Sequence, residues 1–301
     1  MPVPIASRSL EELAGRHGGV VRGDFRAIVR RLAPVERAQA GELAPVLAPR
    51  YVAAAIEALG RGARLLVDAK LDVGTLHDTP SGTSIWTHPQ AAWALLELLR
   101  YADVPNTPAE VGKGSEVHPT AILEPRTVIG KNVYVGPYAV IGRPGFGFVP
   151  GPDGAMHALV HAGGVVLEDD VYLGSHVTVD AGTLEPTILR RGVKVDSHVH
   201  IGHNCDVGPG TLIAAQSGLA GSVVVGRNVL IGGQAGIADH VHVGDGARIA
   251  AKSGVIGDVP AKSIVAGYPA VARARWLRGI AELYRDTDPL PEIPSVPPET
   301  E

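Results

Sequence analysis

Residues 189–225 read LRRGVKVDSHVHIGHNCDVGPGTLIAAQSGLAGSVVV, and an aliphatic residue returns at every sixth place: Leu189, Val195, Ile201, Val207, Ile213, Leu219 and Val225. The series continues through Ile231, Ile237, Val243, Ile249 and Val255. Four places after each starting residue comes a small or β-branched one: Val193, Val199, Cys205, Thr211, Ser217, Val223, Val229, Ala235, Val241, Ala247 and Ser253. A period of six is neither the 3.6 of an amphipathic helix nor the 2 of a simple amphipathic strand. It suits short strands joined by tight corners, with one large and one small side chain facing inward per repeat. Such repeats cannot bury their apolar face singly, so they must stack into a continuous core.

The same period appears earlier, at Val117, Leu123, Ile129, Val135 and Ile141, and again at Leu167, Leu173 and Val179. Two breaks interrupt it. Residues 142–166 begin GRPGFGFVPGPDG, a run of turn formers that reads as a loop ejected from the coil. Four extra residues separate Val179 from Leu189. The pattern resembles the hexapeptide repeat of left-handed parallel β-helix proteins, in which three hexads make one triangular coil. Residues 1–105 carry no hexads and mix helix-like segments (Ser9–Ala14, Pro89–Tyr101) with a strand-like Arg64–Asp68. The expected organisation is an α/β domain over 1–108, a left-handed β-helix over 109–266, and a C-terminal helix with a proline-rich tail over 267–301.

Composition agrees. Of 301 residues, 38 are Gly and 24 Pro, about a fifth of the chain against a usual share of roughly 12%. Apolar residues make up 45% but aromatics only 4%, so the core must be built of thin aliphatic layers. A net charge of -4 gives no attraction for polyanions, which argues against nucleic-acid binding. One cysteine cannot form an internal disulfide. With no apolar run long enough to span a bilayer and no basic, apolar leader, the expectation is a cytoplasmic protein without an integral membrane segment.

Among the twelve histidines, His198, His200, His203, His240 and His242 avoid the inward places of their hexads and so stand outside or at corners. His203 and His240 belong to hexads starting at Ile201 and Ile237, two coils apart, which places them on one face, roughly 10 Å apart along the axis. Gly221 follows His203 by one coil, about 5 Å away. A histidine beside an exposed glycine amide joins a proton acceptor to an oxyanion donor. Cys205 fills the small inward slot and reads as buried filler, not as a nucleophile.

The ordered set GFGF at 145–148, GVKVD at 192–196, IGHN at 201–204, AGS at 220–222 and IGG at 231–233, between an N-terminal α/β domain and a terminal helix, resembles the UDP-3-O-acylglucosamine N-acyltransferase family of lipid A assembly. The resemblance implies transfer of a 3-hydroxyacyl chain from acyl carrier protein to the 2-amino group of a UDP-linked 3-O-acylglucosamine. It makes His203 the general base, with Asn204 beside it in the substrate site, Gly221 the oxyanion amide, and His240 a contact to the substrate's polar head. It also implies a homotrimer with sites between subunits, no metal, and no cofactor beyond the acyl-phosphopantetheine of the carrier. Asp196 is a candidate to orient His203 or touch the sugar. Phe146 and Phe148 are candidates to line an acyl or pantetheine groove. Arg273, Arg275 and Arg278 form a basic patch suited to an acidic carrier.

Some positions depart from the family pattern. Where the family stacks uracil between a phenylalanine and a tyrosine with an asparagine between them, this chain has Pro45, Ala48 and Tyr51, so only Tyr51 remains. The family's D-R-G reads D-A-G at Asp180–Gly182, and its lysine ahead of the catalytic hexads reads Ala158. Two other readings follow. One is a coenzyme A-dependent acyl- or acetyltransferase acting on another nucleotide sugar. The other is a zinc protein, because His198, His203 and Cys205 resemble the metal motif of gamma-type carbonic anhydrases, although Ala162 stands two coils before His198, with His161 next to it.

Overall fold

The computed structural model describes residues 2–71, 83–267, 273–283 and 285. They fall into two units that divide after Gly267. No helix among the described residues is long and apolar enough to cross a membrane.

The first part of the larger unit runs β1 (Val3–Ser9), α1 (Leu10–His17), β2 (Val20–Gly23), β3 (Ile28–Leu32), β4 (Glu42–Val46), α2 (Val52–Gly60), β5 (Arg64–Asp68), β6 (Ser84–His88) and α3 (Ala91–Arg100). The sheet order is β1-β3-β4-β5-β6-β2, parallel from β3 to β6 and antiparallel at both edges. A capping box starts α1: Ser9 Oγ accepts from the Glu12 amide, and the Glu12 carboxylate accepts from the Ser9 amide. Strand β5 reads RLLVD, apolar without alternation, because helices cover both of its faces. Leu66 packs with Leu10, Leu32, Trp86 and Leu95 on one side; Leu65 and Val67 pack with Val46 and Ala55 on the other.

From Glu110 to Val265 the chain winds through three parallel sheets, of seven, eight and seven strands among the described residues. Pairing advances by three hexads per coil, as in Lys194↔Leu212, Leu212↔Leu230 and Leu230↔Arg248. Every aliphatic residue of the sixth-place series from Leu189 to Val255 is at most 8% exposed, and the small residues four places on are buried as well. Each such aliphatic side chain contributes about 1.5–3 kcal/mol on leaving water. At most corners the fourth residue of the hexad takes a left-handed backbone, as at Asn204, Ser222 and His240 (φ 60°, 62° and 58°). Asn tolerates that region better than most residues.

The two breaks show up as lengthened pairings. Tyr134 pairs with Tyr172, and Thr178 with His200, each partner lying beyond the regular step of three hexads. The first break, expected as an ejected loop, does leave the coil, but it folds into a hairpin of Phe148–Pro150 against Met156–Ala158. Trp93 of α3 meets His157 of this hairpin edge-on at 4.8 Å, and Arg100 lies over the Trp93 ring. Leu159, Val160 and Ala162 from the first break and Leu184 from the second join the core of Leu10 and Trp86. The sheet-and-helix part and the solenoid thus share buried surface, which the expected division at residue 108 did not foresee.

In the smaller unit, α4 (Arg273–Leu283) carries Arg273, Arg275 and Arg278. Arg278 is exposed; the side chains of Arg273 and Arg275 lie outside the described part.

Candidate active site

After each strand of the third sheet the chain turns a corner, and three successive corners carry His203-Asn204, Gly221-Ser222 and Asp239-His240. Their backbones are laddered: Ser222 N–H donates to His203 O at 2.8 Å, and His240 N–H to Gly221 O at 3.0 Å. A Cβ on Gly221 would stand 2.5 Å from His203 Cε1 and 2.7 Å from its Nε2, so the imidazole lies where any side chain at 221 would begin. At the corner after the first sheet, three residues in the equivalent hexad place, Lys131, Arg191 and Arg227, have their amides capped by carboxylates. Asp169 accepts from Lys131 N–H at 2.8 Å, Glu168 from Arg191 at 2.9 Å and Asp245 from Arg227 at 3.0 Å. The Gly221 N–H meets no acceptor among the described residues.

The breaks in the repeat supply the rest of the surroundings. From the first, Gly145 and His161 close on His203: the two imidazole centroids are 4.9 Å apart, and a Cβ on Gly145 would stand 2.7 Å from His203 Cβ and 2.8 Å from His161 Nε2. His161 is 5% exposed, and neither ring nitrogen has a partner. Burial, and secondarily the neighbouring His203, push its pKa down to about 4. From the second break, Thr183 and Thr187 hold Asn204. Its Oδ1 accepts from Thr183 N–H at 2.6 Å, its Nδ2 bonds Thr183 Oγ1 at 3.2 Å and His203 Nδ1 at 2.8 Å, and its backbone N–H donates to Thr187 Oγ1 at 2.9 Å. Burial lowers the pKa of His203, opposed by the Asp180 charge, so the ring is neutral around pH 7.

Asn204 was expected in the substrate site, but its amide is already committed to Thr183 and His203. Asp196 sits one corner earlier, exposed, with its carboxylate accepting from Ser197 N–H at 2.7 Å; within one chain it does not orient His203. The carboxylate whose field reaches His203 is Asp180, 1% exposed, 2.8 Å from Arg143 Nε in an ion pair without a well-aimed hydrogen bond and 3.7 Å from His200 Nε2. Burial pushes the Asp180 carboxyl up, against the pull of His200 and Arg143. Arg143 thus supplies a guanidinium next to the D-A-G segment, whose middle residue is Ala181. Tyr51, on the Pro49–Tyr51 turn, brings its hydroxyl to 3.4 Å from His240 Nδ1. Burial lowers the pKa of His240, with help from Arg50.

Phe146 is 83% exposed and meets Phe148 edge-on at 5.1 Å, on the same arc that passes over His161. Cys205 is buried, its Sγ on Ala220 O at 3.2 Å and its pKa raised by burial to about 12. Thr211 and Ser217 place their hydroxyls likewise, on Gly226 O and Gly232 O, so the thiol is one of a series of inward fillers. His198 stacks on His176 at 4.8 Å, at a different corner from His203, and no metal-holding group of three His, Cys, Asp or Glu occurs among the described residues. Sequence reasoning missed His161 and Asp180 as groups acting on His203, and Thr183 and Thr187 as partners of Asn204. Their one signal was that they lie in or beside the breaks.

Residues 108–143 match the family described as bacterial transferase hexapeptide (six repeats), and residues 222–253 match the hexapeptide repeat of succinyl-transferase. A UDP-3-O-acylglucosamine N-acyltransferase of Syntrophotalea carbinolica is 35% identical over 91% of this chain and 92% of its own length. One from Sinorhizobium fredii is 53% identical over 52% of this chain and 44% of that protein, so the match spans under half of that relative. Among solved structures, LpxA of Acinetobacter baumannii is 22% identical, with a TM-score of 0.49 over 57% of this chain and 66% of that one.

Proposed function

Since the chain belongs to the UDP-3-O-acylglucosamine N-acyltransferase family, we propose that it transfers a 3-hydroxyacyl chain from acyl carrier protein to the 2-amino group of UDP-3-O-acylglucosamine, a step of lipid A assembly. The observation that carries this reading is the pairing of a neutral, half-buried His203 with the uncapped amide of Gly221 one coil away. Amide formation from a thioester needs an unprotonated amine, a place for its proton, and donors for the charge that grows on the acyl oxygen. The resemblance makes His203 the proton acceptor and Gly221 the donor. Tyr51 and His240 together suit the polar head of the acceptor, and Phe146 and Phe148 suit the donor's chain or pantetheine arm. Arg278 and its neighbours on α4 suit an acidic carrier.

The proposal includes a homotrimer working in the cytoplasm. The outer face of the second sheet favours subunit contact: Tyr172, Leu212, Leu230 and Ile264 line a shallow groove of about 540 Å³ with Lys194 and Arg248, well supplied with exposed apolar surface. The test is incubation with acyl carrier thioesters and UDP-3-O-acylglucosamine, followed by mass spectrometry for the amide. Parallel arms with coenzyme A thioesters and with other UDP-amino sugars are warranted because Pro45 and Ala48 replace the expected nucleotide contacts. Replacing His203 by Ala is expected to leave folding intact and reduce transfer by about 10²–10⁴-fold. Retention of wild-type rates would remove His203 from the reaction.

A further inference from the structure

The acyl-transfer chemistry proposed above leaves the buried imidazole of His161 without a task. Its ring centroid is 4.9 Å from that of His203, it is 5% exposed, and neither of its nitrogens has a hydrogen-bond partner among the described residues. The Leu159 carbonyl is close enough to favour the charged ring slightly but forms no hydrogen bond with it. Burying two unserved ring nitrogens costs stability, so they call for a polar partner. The backbone arc over them is bare of side chains: a Cβ at Gly145 would stand 2.8 Å from His161 Nε2, and one at Gly147 3.3 Å from its Cε1. The flanking Phe146 and Phe148 are both exposed.

Burial keeps this ring neutral, so it offers one N–H and one lone pair. A hydroxyl can answer either, whereas a carboxylate answers only the N–H and a cation only the lone pair, each at the cost of burying a charge. His161 lies on the side of His203 away from Gly221 and His240. The adjoining Ala162 N–H donates to Thr183 O at 2.9 Å, in the stretch before His203, while Gly221 and His240 follow one and two coils later. The acceptor's head, suited to Tyr51 and His240, is thus turned the other way, and the hydroxyl on the His161 side is the donor's own, two carbons beyond the thioester carbonyl. We propose that His161 is a specificity-determining residue that hydrogen-bonds the 3-hydroxyl of the acyl donor beneath the arc of residues 145–147, with the rest of the chain running on past Phe146 and Phe148. This inference rests on the acyl-transfer reading above and leaves His203 as its proton acceptor.

The test compares two donors of equal chain length on the full-length protein, 3-hydroxyacyl and unsubstituted acyl thioesters of acyl carrier protein, with UDP-3-O-acylglucosamine as acceptor. Wild type is expected to favour the hydroxylated donor roughly 10–10²-fold in kcat/KM, the worth of one hydrogen bond to a buried polar group. His161→Phe should bring that ratio toward one by slowing the hydroxylated donor, and His161→Gln, which keeps a donor and an acceptor, should retain most of it. A wild type that takes both donors equally well overturns the proposal. So does a His161→Phe that slows both in equal proportion, because a ring that merely packs against His203 would act in that way. Should His161→Phe not fold, His161→Leu, equally without polar atoms, takes its place. A wild type that transfers neither donor defeats the acyl-transfer reading instead. Calorimetric titration with 3-hydroxyacyl and unsubstituted acyl phosphopantetheine then decides for His161: a preference for the hydroxyl that the variant loses supports the site, and equal affinities in wild type overturn it.

Discussion

Two corners of the same prism use one backbone geometry for different ends. After the first sheet, the outward amides of Lys131, Arg191 and Arg227 are each closed by a carboxylate from a neighbouring turn. After the third sheet, the equivalent amide of Gly221 is left open, with an imidazole pressed against it. Gly221 is half-buried, so its N–H can serve a substrate oxygen in place of water, with His203 alongside. The regular corner and the reactive corner differ in their fillings, not in their fold.

The sharpest way to break that contrast is Gly221→Ala. The added methyl must displace His203, and a misplacement of about 1 Å is enough to cost 10²-fold, or roughly 2.7 kcal/mol of transition-state stabilisation. Gly218→Ala, where an added Cβ meets nothing within 4 Å, should leave the rate unchanged. Equal rates for the two variants in the transfer assay would mean that the open amide is incidental.

His161→Phe should come next. Removing two buried, unpartnered nitrogens while keeping a ring is expected to stabilise the protein by about 1–3 kcal/mol, read from the urea midpoint. The pH profile supplies a companion measurement. The folded-state pKa of His161, about 4, lies below the ordinary 6.5, so the unfolded chain binds more protons between those values. Stability is therefore full above pH 6.5 and falls as pH drops toward 4, by up to about 1.4 kcal/mol per unit for this group. His161→Phe should flatten that decline. A decline of unchanged steepness would assign it to other groups.

The smallest effect belongs to the regular corner. Asp245→Ala uncaps the exposed Arg227 amide and should cost under about 1 kcal/mol, with transfer unaltered. A larger loss would mean that the carboxylate caps do more than close an amide that water could serve as well.

Legibility followed regularity. The sixth-place aliphatics fixed coil length, inward register and the shared corner of His203, Gly221 and His240, because a strict period converts sequence distance into height along the axis. The role of Cys205 was readable for the same reason. What lay outside the period was not: a spacing rule says nothing about where an extruded segment folds back. Thus the breaks marked His161, Thr183 and Asp180 as irregular without placing them around the His203–Asn204 corner, and Asp196, placed by its hexad, stands one corner too early to orient His203. Pattern reading located the open amide; only the folded chain shows what surrounds it.

The hairpin pressed on α3 has a further consequence. Because Leu159, Val160, Ala162 and Leu184 share a core with Leu10 and Trp86, the solenoid's two interruptions act as rivets through the front half of the molecule. Amputating residues 1–108 would bare those rivets as a sticky patch and loosen the strands flanking His203. A lineage adapting this scaffold to a new sugar could not simply swap its front half; it would have to recut both rivets at the same time.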